Sequence, residues 1–289
     1  MKILLFGSDG QLGSEISSSL KKNSHELIES TISDVDFKNQ IDLSNYLNQF
    51  SQLDLIINCV ALTNTTYCEE HPAEAFAVNA YPLETISRYC KQNNITLVHF
   101  STDYVFDGNK NSPYEETDPV NPVNEYGKSK LEGEQIIQAH HDKYYIIRIS
   151  SLYGRSVALG KNTNLMQTII TKAKLGGEHK FVQDQLITPT YTQEIVQFID
   201  KLTTDMILNY GIYHLTCQGH CSYYELANYL IGLLKYENVA ITPVNMSEFP
   251  AKIKRPKNGA LSSNKISPFY KPSHWKKALE NYIRTAKIL

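Results

Sequence analysis

Apolar residues fall along this chain in short runs that alternate with amphipathic stretches of helical spacing. Ile3-Leu4-Leu5-Phe6-Gly7 predicts a first strand, and the pattern Glu15-Ile16-Ser17-Ser18-Ser19-Leu20 predicts the helix that follows. His25-Glu26-Leu27-Ile28-Glu29 is a second strand. Leu53 to Val60, broken only by Asp54 and Asn58, has the nearly continuous apolar character of a parallel strand covered on both faces. A helix is expected through Glu74 to Asn79 and on to Tyr89, then a strand from Ile95 to Thr102 and a Pro- and Asn-rich loop from Gly108 to Val123. A helix from Tyr126 through Glu134 to Gln138 and a strand from Tyr144 to Ile149, ending at Ser150-Ser151, complete the series. Strands alternating with helices predict an α/β fold with a right-handed, doubly wound, mostly parallel sheet.

Beyond residue 150 the periodicity loosens. Helices at Leu165 to Lys174 and Tyr223 to Leu234, and a Pro-rich tail with Arg255-Pro256, predict a smaller lobe closing over the C-terminal edge of the sheet. Residues 1–155 are therefore expected to form a dinucleotide-binding domain and 156–289 a smaller substrate-binding lobe. Thr192 to Leu202 and Gly211 to Leu215 are expected to rejoin the larger domain, within return segments near residues 185–215.

Composition narrows the class. A chain of 289 residues, 42% hydrophobic and 20% charged, can bury a full core in one large or two unequal domains. The net charge of −2, with no block of like charge, points away from nucleic acid and anionic membrane as partners. No apolar run approaches the ~20 residues of a membrane helix. Met1-Lys2 leads straight into the first strand without a signal-like apolar region, which predicts a cytoplasmic protein. The five cysteines are odd in number and scattered, unlike a disulfide framework. His214, Cys217, His220 and Cys221 superficially suggest a metal site. They lie on a strand and turn leading into Ser222-Tyr223-Tyr224-Glu225, a capping-box pattern, and no metal is expected.

Chemistry enters with Gly7-Ser8-Asp9-Gly10-Gln11-Leu12-Gly13, a G-x-x-G-x-x-G between first strand and first helix. Gly7 allows a tight turn, Gly10 lets backbone approach a pyrophosphate, and Gly13 permits close packing of the helix. A dinucleotide then sits at the helix N-terminus beside Asp9, Gln11 and Leu12, as in a Rossmann fold. A glycine triplet alone is a common structural turn; its position in the chain is what points to a cofactor. The second strand ends at Ser30-Thr31 with neither acid nor arginine, which leaves room for a 2′-phosphate. NADP(H) is therefore the preferred cofactor, with NAD(H) left open because Glu29 supplies an acid if the strand ends one residue earlier. Asp42-Leu43 is placed either at the adenine edge or in the first turn of a helix. Val60, Ala61 and Thr63, after the third strand, are expected beneath the ribose. Asn79 is either a site amide or an interior polar residue of its helix.

Tyr126-Gly127-Lys128-Ser129-Lys130 puts a phenol and an ammonium four residues apart, on one helix face. A tyrosine, with an ordinary pKa of about 10, moves toward the neutral range when a fixed positive charge stands nearby, and Lys130 is placed to supply it. With 19 tyrosines in the chain such a pair arises easily by chance. Its weight comes from appearing in order after the glycine turn and after Phe100-Ser101-Thr102-Asp103-Tyr104-Val105-Phe106, which brings Ser101 and Thr102 to a strand's C-terminal edge, where a hydroxyl can hold a substrate carbonyl.

Together these segments resemble the extended short-chain dehydrogenases/reductases, and more closely the dTDP-4-dehydrorhamnose reductase family. The likeness also covers Asp184-Gln185 with Pro189-Thr190, Gly211-Ile212-Tyr213-His214-Leu215 and Arg255-Pro256, so it spans nearly the whole chain. The resemblance implies a catalytic trio of Thr102, Tyr126 and Lys130. It also implies cofactor contacts that include Ser101, Tyr126 and Lys130, and substrate contacts from Thr102, Asp103, Tyr104, Val105, Phe106, Ser151, Gln185 and Arg255. The implied reaction is hydride transfer from the nicotinamide to C4 of a dTDP-linked 4-keto-6-deoxyhexose. Tyr126 would protonate the developing alkoxide, Thr102 would polarise the ketone, and Lys130 would hold the nicotinamide ribose and lower the tyrosine pKa. A homodimer is compatible with the family.

Two positions depart from that pattern. The family commonly places a tryptophan where this chain has Ser150-Ser151-Leu152-Tyr153, the sole tryptophan being Trp275, and often an acid at Thr66. Other readings stay open. A dehydratase of the superfamily would carry a glutamate where Tyr104 stands, and an epimerase would favour an acid near Ser30. A cofactor-binding regulatory protein similar to the beta subunit of methionine adenosyltransferase would share the fold without turnover.

Overall fold

The computed structural model describes residues 1–156, 164–205, 208–249 and 253–286. Five parallel strands, β1 (Lys2–Phe6), β2 (Glu26–Ser30), β3 (Leu55–Asn58), β4 (Thr96–Thr102) and β5 (Tyr144–Ile149), form the central sheet with a sixth, Gly211–His214. They lie in the order β2, β1, β3, β4, β5, Gly211–His214, every neighbouring pair parallel. The helices are α1 (Gln11–Leu20), α2 (Gln40–Leu47), α3 (Thr65–Glu70), α4 (Pro72–Asn79), α5 (Pro82–Asn93), α6 (Glu125–His140), α7 (Leu165–Leu175), α8 (Thr192–Asp205), α9 (Tyr223–Leu234) and α10 (Trp275–Thr285).

The two-residue repeat of each strand explains the double winding. Ile3, Leu5, Leu55, Ile57, Val98, Phe100, Tyr145 and Ile147 face one layer, closed by Leu12 and Ile16 of α1 and Ile195, Phe198 and Leu202 of α8. Leu4, Phe6, Ile56, Leu97 and Ile146 face the other, closed by Leu43 of α2, Leu83 and Ile86 of α5 and Ile137 of α6. At about 1.5–3 kcal/mol for each fully buried aliphatic or Phe side chain, these two layers are the main favourable term holding the sheet. Strand order reverses between β1 and β3, so the crevice for a ligand opens outside the C-terminal ends of those two strands.

A separate core joins Tyr153, Met166 and Ile169 of α7, Leu226 and Leu230 of α9, and Trp275, Leu279 and Tyr282 of α10. The parallel pair Gly177–Val182 and Val239–Val244 packs beside it and has no alternating pattern in the sequence to announce it. Glu225 and Ser222 form the capping box that starts α9: Glu225 N–H donates to Ser222 Oγ at 3.1 Å and Ser222 N–H to Glu225 Oε2 at 2.7 Å.

The single helix expected from Glu74 to Tyr89 is corrected to two. Ala80 leaves helical geometry (φ −121°, ψ −65°), and Pro82, which has no N–H to continue a helix, opens α5 instead. That break places Asn79 at the end of α4, facing the site.

Candidate active site

The glycine turn is tied to the neighbouring strand by Gly7 and Ser8 N–H, which donate to the Ser30 carbonyl at 2.8 and 3.2 Å. Gly7 has φ +71°, and a Cβ on Gly13 would stand 2.0 Å from the Gly7 carbonyl oxygen, so the first and third glycines are sterically required. Gly10 caps α1 with no side-chain hydrogen bond and no acid in the first turn, leaving the N–H groups of Gln11, Leu12 and Gly13 and the positive helix end toward the crevice. Gln11 Nε2 and Ser30 Oγ are buried without a partner among the described residues. An uncapped helix end with spare donors beside it fits a cofactor pyrophosphate. Asp9 is exposed at the tip of the turn.

Glu29 is turned away from this crevice. It accepts from Ser17 Oγ at 2.6 Å and pairs with Lys21 at 2.6 Å, so β2 ends at Ser30 without an acid for a ribose hydroxyl. The Leu43 side chain is fully buried in the core. Its neighbour Asp42 is in the first turn of α2 and accepts from Asn39 Nδ2 at 2.7 Å. Past β3, Val60 lies 3.1 Å from where a Gly7 Cβ would be, Ala61 is half-buried and Thr63 exposed. The Asn79 amide holds this loop, accepting from Leu62 N–H at 2.8 Å and donating to Leu62 O at 3.1 Å and to Ser129 Oγ of α6 at 3.0 Å.

Helix α6 starts at Asn124, whose Oδ1 accepts from Gly127 N–H at 2.9 Å and whose Nδ2 donates to the Lys254 carbonyl at 2.9 Å. This start brings Tyr126 to the end of β4, where the Thr102 hydroxyl is near enough to the phenol to draw its pKa down. Thr102 also donates to Asp103 Oδ1 at 3.1 Å and accepts from Tyr104 N–H at 3.3 Å. The Tyr104 and Tyr126 rings meet edge to face at 5.5 Å. Burial raises the Tyr126 phenol, with Thr102 pulling it back and Asp103 adding to the rise. Burial also pushes the Asp103 carboxyl up to about 7, against hydrogen bonds from Thr102, its own backbone and Ser150.

The Lys130 amine donates to the Phe100 carbonyl at 2.7 Å and lies 3.0 Å from His99 Nε2, both on β4. Burial brings its pKa down to about 8, with Glu134 and Cys59 partly opposing. Ser101 is likewise engaged inward, donating to Glu134 Oε1 at 2.5 Å, and Glu134 is clamped by Arg148 through Nε at 2.9 Å and Nη2 at 2.6 Å.

The family model described as the RmlD substrate binding domain matches residues 1–288. The chain belongs to that family. The spore coat polysaccharide biosynthesis protein SpsK of Bacillus subtilis is 32% identical, the alignment covering 98% of this chain and 97% of SpsK. A dTDP-4-dehydrorhamnose reductase from Clostridium acetobutylicum superposes with a TM-score of 0.91 at 36% identity, over 99% of this chain and 100% of that one. The Bacillus anthracis dTDP-4-dehydrorhamnose reductase, solved in complex with NADP, gives 0.90 at 29% identity, over 98% and 99%.

Within this family member, the side chains of Val105 and Phe106 are fully buried against Tyr114 and Leu261, because the 3-10 turn Asp103–Val105 rotates the chain inward. Gln185 is buried and donates to the Pro256 carbonyl at 3.1 Å. Gln185 and Asn124 therefore anchor the residues on either side of the exposed Arg255, whose charge acts on Tyr104 and Tyr223. Ser151, at φ +45°, lies near enough to the Tyr223 phenol to draw its pKa down against burial. Tyr223, at the start of α9, is a site residue that the sequence reading missed; it puts an aromatic ring beside the position where the family commonly has tryptophan. Its only signal was a place just after the capping serine. Trp275 is buried in the smaller core.

Proposed function

We propose that this protein is an NADPH-dependent reductase of the C4 ketone of a nucleotide-linked 4-keto-6-deoxyhexose, converting dTDP-4-dehydro-L-rhamnose to dTDP-L-rhamnose for cell-surface polysaccharide. The observation that carries the reading is the meeting of Thr102 and Tyr126 at the end of β4, in a chain matched over its whole length by this reductase family. Bound at the glycine turn, NADPH supplies the hydride.

The protein's own groups do the rest. The Thr102 hydroxyl donates to the ketone oxygen and stabilises charge as it develops there. Tyr126, kept protonated by burial, gives its phenolic proton to the alkoxide. Residues 1–155 with the return segments carry the cofactor, and the lobe bearing Tyr223 and Arg255 carries the sugar nucleotide, the guanidinium pairing with diphosphate. The same reading places the enzyme in the cytoplasm, acting without nucleic acid or membrane and open to pairing with a second copy. Among the described residues no helix is long and apolar enough to cross a membrane.

A panel of dTDP-, UDP- and GDP-linked 4-keto-6-deoxyhexoses, assayed by NADPH oxidation, tests the assignment. Turnover highest with the dTDP sugar supports it. Turnover only with another nucleotide replaces the substrate, and cofactor binding with no turnover on any sugar favours a regulatory subunit.

A further inference from the structure

A hydroxyl has one proton to give and two lone pairs to receive with, and the neighbours of Thr102 decide where each goes. Tyr104 N–H takes one lone pair at 3.3 Å, and Asp103 Oδ1 lies 3.1 Å from Thr102 Oγ. An ionised Asp103 can only accept, so it draws the single Thr102 proton to itself and leaves none for a ketone oxygen. A protonated Asp103 reverses that bond with no heavy atom moved. The carboxyl then donates to the second lone pair, and the Thr102 proton is free to turn toward a substrate. The same 3.1 Å serves either direction.

We propose that Asp103 works as a carboxylic acid that donates to Thr102 Oγ and so turns the Thr102 proton toward the ketone, which makes it a positioning residue for the oxygen that becomes the alkoxide. No proton leaves Asp103 or Thr102 in the reaction; the one that ends on the alcohol comes from Tyr126. The ketone as recipient rests on the reductase reading, whereas the protonated carboxyl and its bond to Thr102 do not.

The surroundings favour the acid. Thr102 and Asp103 are each only 5% exposed, and a Cβ on Gly259 would stand 2.3 Å from Asp103 Oδ2, so the second carboxyl oxygen is packed against backbone. Burial raises the carboxyl to about 7 against the pull of Thr102, its own backbone and Ser150. The Ser150 hydroxyl has one proton as well, and it donates to the Gly259 carbonyl at 3.0 Å. Tyr104 on the turn after β4, Tyr126 on α6 and Tyr223 on α9 face the carboxyl, and its charge raises all three phenols, with Arg255 offsetting this at Tyr104 and Tyr223. A neutral Asp103 removes that charge where negative charge grows on the ketone oxygen, and makes Tyr126 a readier acid.

The test uses the full chain. Carbon-13 spectra of aspartate-labelled protein, with Asp103→Asn to assign the signal, should show the Asp103 carboxyl titrating near pH 7, protonated at pH 6. A carboxyl ionised at pH 6 overturns the inference whatever the activity. Thr102→Val, read in the same spectra, should move the midpoint up, since the hydroxyl that steadies the carboxylate is gone. An unmoved midpoint means that the two groups share no bond, and also overturns it. With NADPH and dTDP-4-dehydro-L-rhamnose, wild-type kcat should fall about tenfold from pH 6 to pH 8, following the protonated fraction. Asp103→Asn, whose amide nitrogen can donate at every pH, should lose that fall and give a ratio of about one between the two pH values. A purely structural aspartate would lower kcat with the fall kept where wild type has it, and that outcome contradicts the inference. Wild-type protein with the carboxyl protonated at pH 6 and no turnover on any sugar would remove the reductase assignment alone.

Discussion

Gly127 and the Tyr104 carbonyl are in backbone contact: a Cβ on Gly127 would stand 2.2 Å from that oxygen. The closeness of α6 to the end of β4, and so the meeting of Tyr126 with Thr102, depends on the missing side chain at Gly127. Gly127→Ala should push the helix outward, costing about 1–3 kcal/mol in stability and at least about tenfold in kcat, because near-attack geometry tolerates little displacement. Urea unfolding and steady-state kinetics read the two effects. An unchanged kcat would mean that the contact does not position Tyr126.

Tyr126→Phe removes the proton donor while keeping the ring against Tyr104. It should lower kcat by about 10²–10⁴-fold and leave the NADPH dissociation constant nearly unchanged. Comparable losses in both would contradict the assignment of the hydroxyl to the transition state.

Glu134 and Arg148 form an ion pair with both side chains nearly inaccessible, at 0% and 3% exposure. Arg148→Met leaves the carboxylate and the Ser101 hydroxyl without the guanidinium and should cost about 3–5 kcal/mol. Adding Glu134→Gln to that variant should recover part of the loss, since the uncompensated charge is then gone. Denaturant titrations of the two variants test this, and a double variant no more stable than the single one would contradict it.

Asp103 carries a pH signature. Its carboxyl is raised to about 7 by burial, so the folded state holds a proton that the unfolded chain releases near the ordinary aspartate range. The associated stability is present below about pH 4 and is lost as pH rises through about 7, on the order of a few kcal/mol in total. Wild type should therefore lose stability relative to Asp103→Asn between pH 5 and 8. A difference independent of pH would place the carboxylate in a site that keeps it ionised.

The sequence was most informative where chemistry is local in the chain. The glycine turn, the hydroxyl at the end of β4 and the Tyr126 helix each show their structure over a few residues, because strand ends, helix starts and tight turns leave short-range patterns. The partners of Lys130 were not legible, since its amine meets His99 and the Phe100 carbonyl on another element that no spacing within α6 reveals. The burial of the Val105 and Phe106 side chains was hidden for a different reason: adjacency to Thr102 suggested a shared surface, and a single 3-10 turn sends them into the core. Tyr223 comes from the second lobe, where the periodicity is loose, and only folding brings it to Ser151. Asn79 stayed open between a site amide and an interior polar residue because the break at Ala80 and Pro82, beside which its amide holds the β3 loop, was read as continuous helix.

Hydride delivery at this site can be followed atom by atom. With NADPH deuterated at both C4 positions and dTDP-4-dehydro-L-rhamnose as substrate, one deuterium should appear at C4 of the sugar for each cofactor oxidised, in wild type and, at a rate about 10²–10⁴-fold lower, in Tyr126→Phe. Cofactor bound at the glycine turn with no deuterium reaching the sugar would contradict the account and leave a nucleotide-binding scaffold.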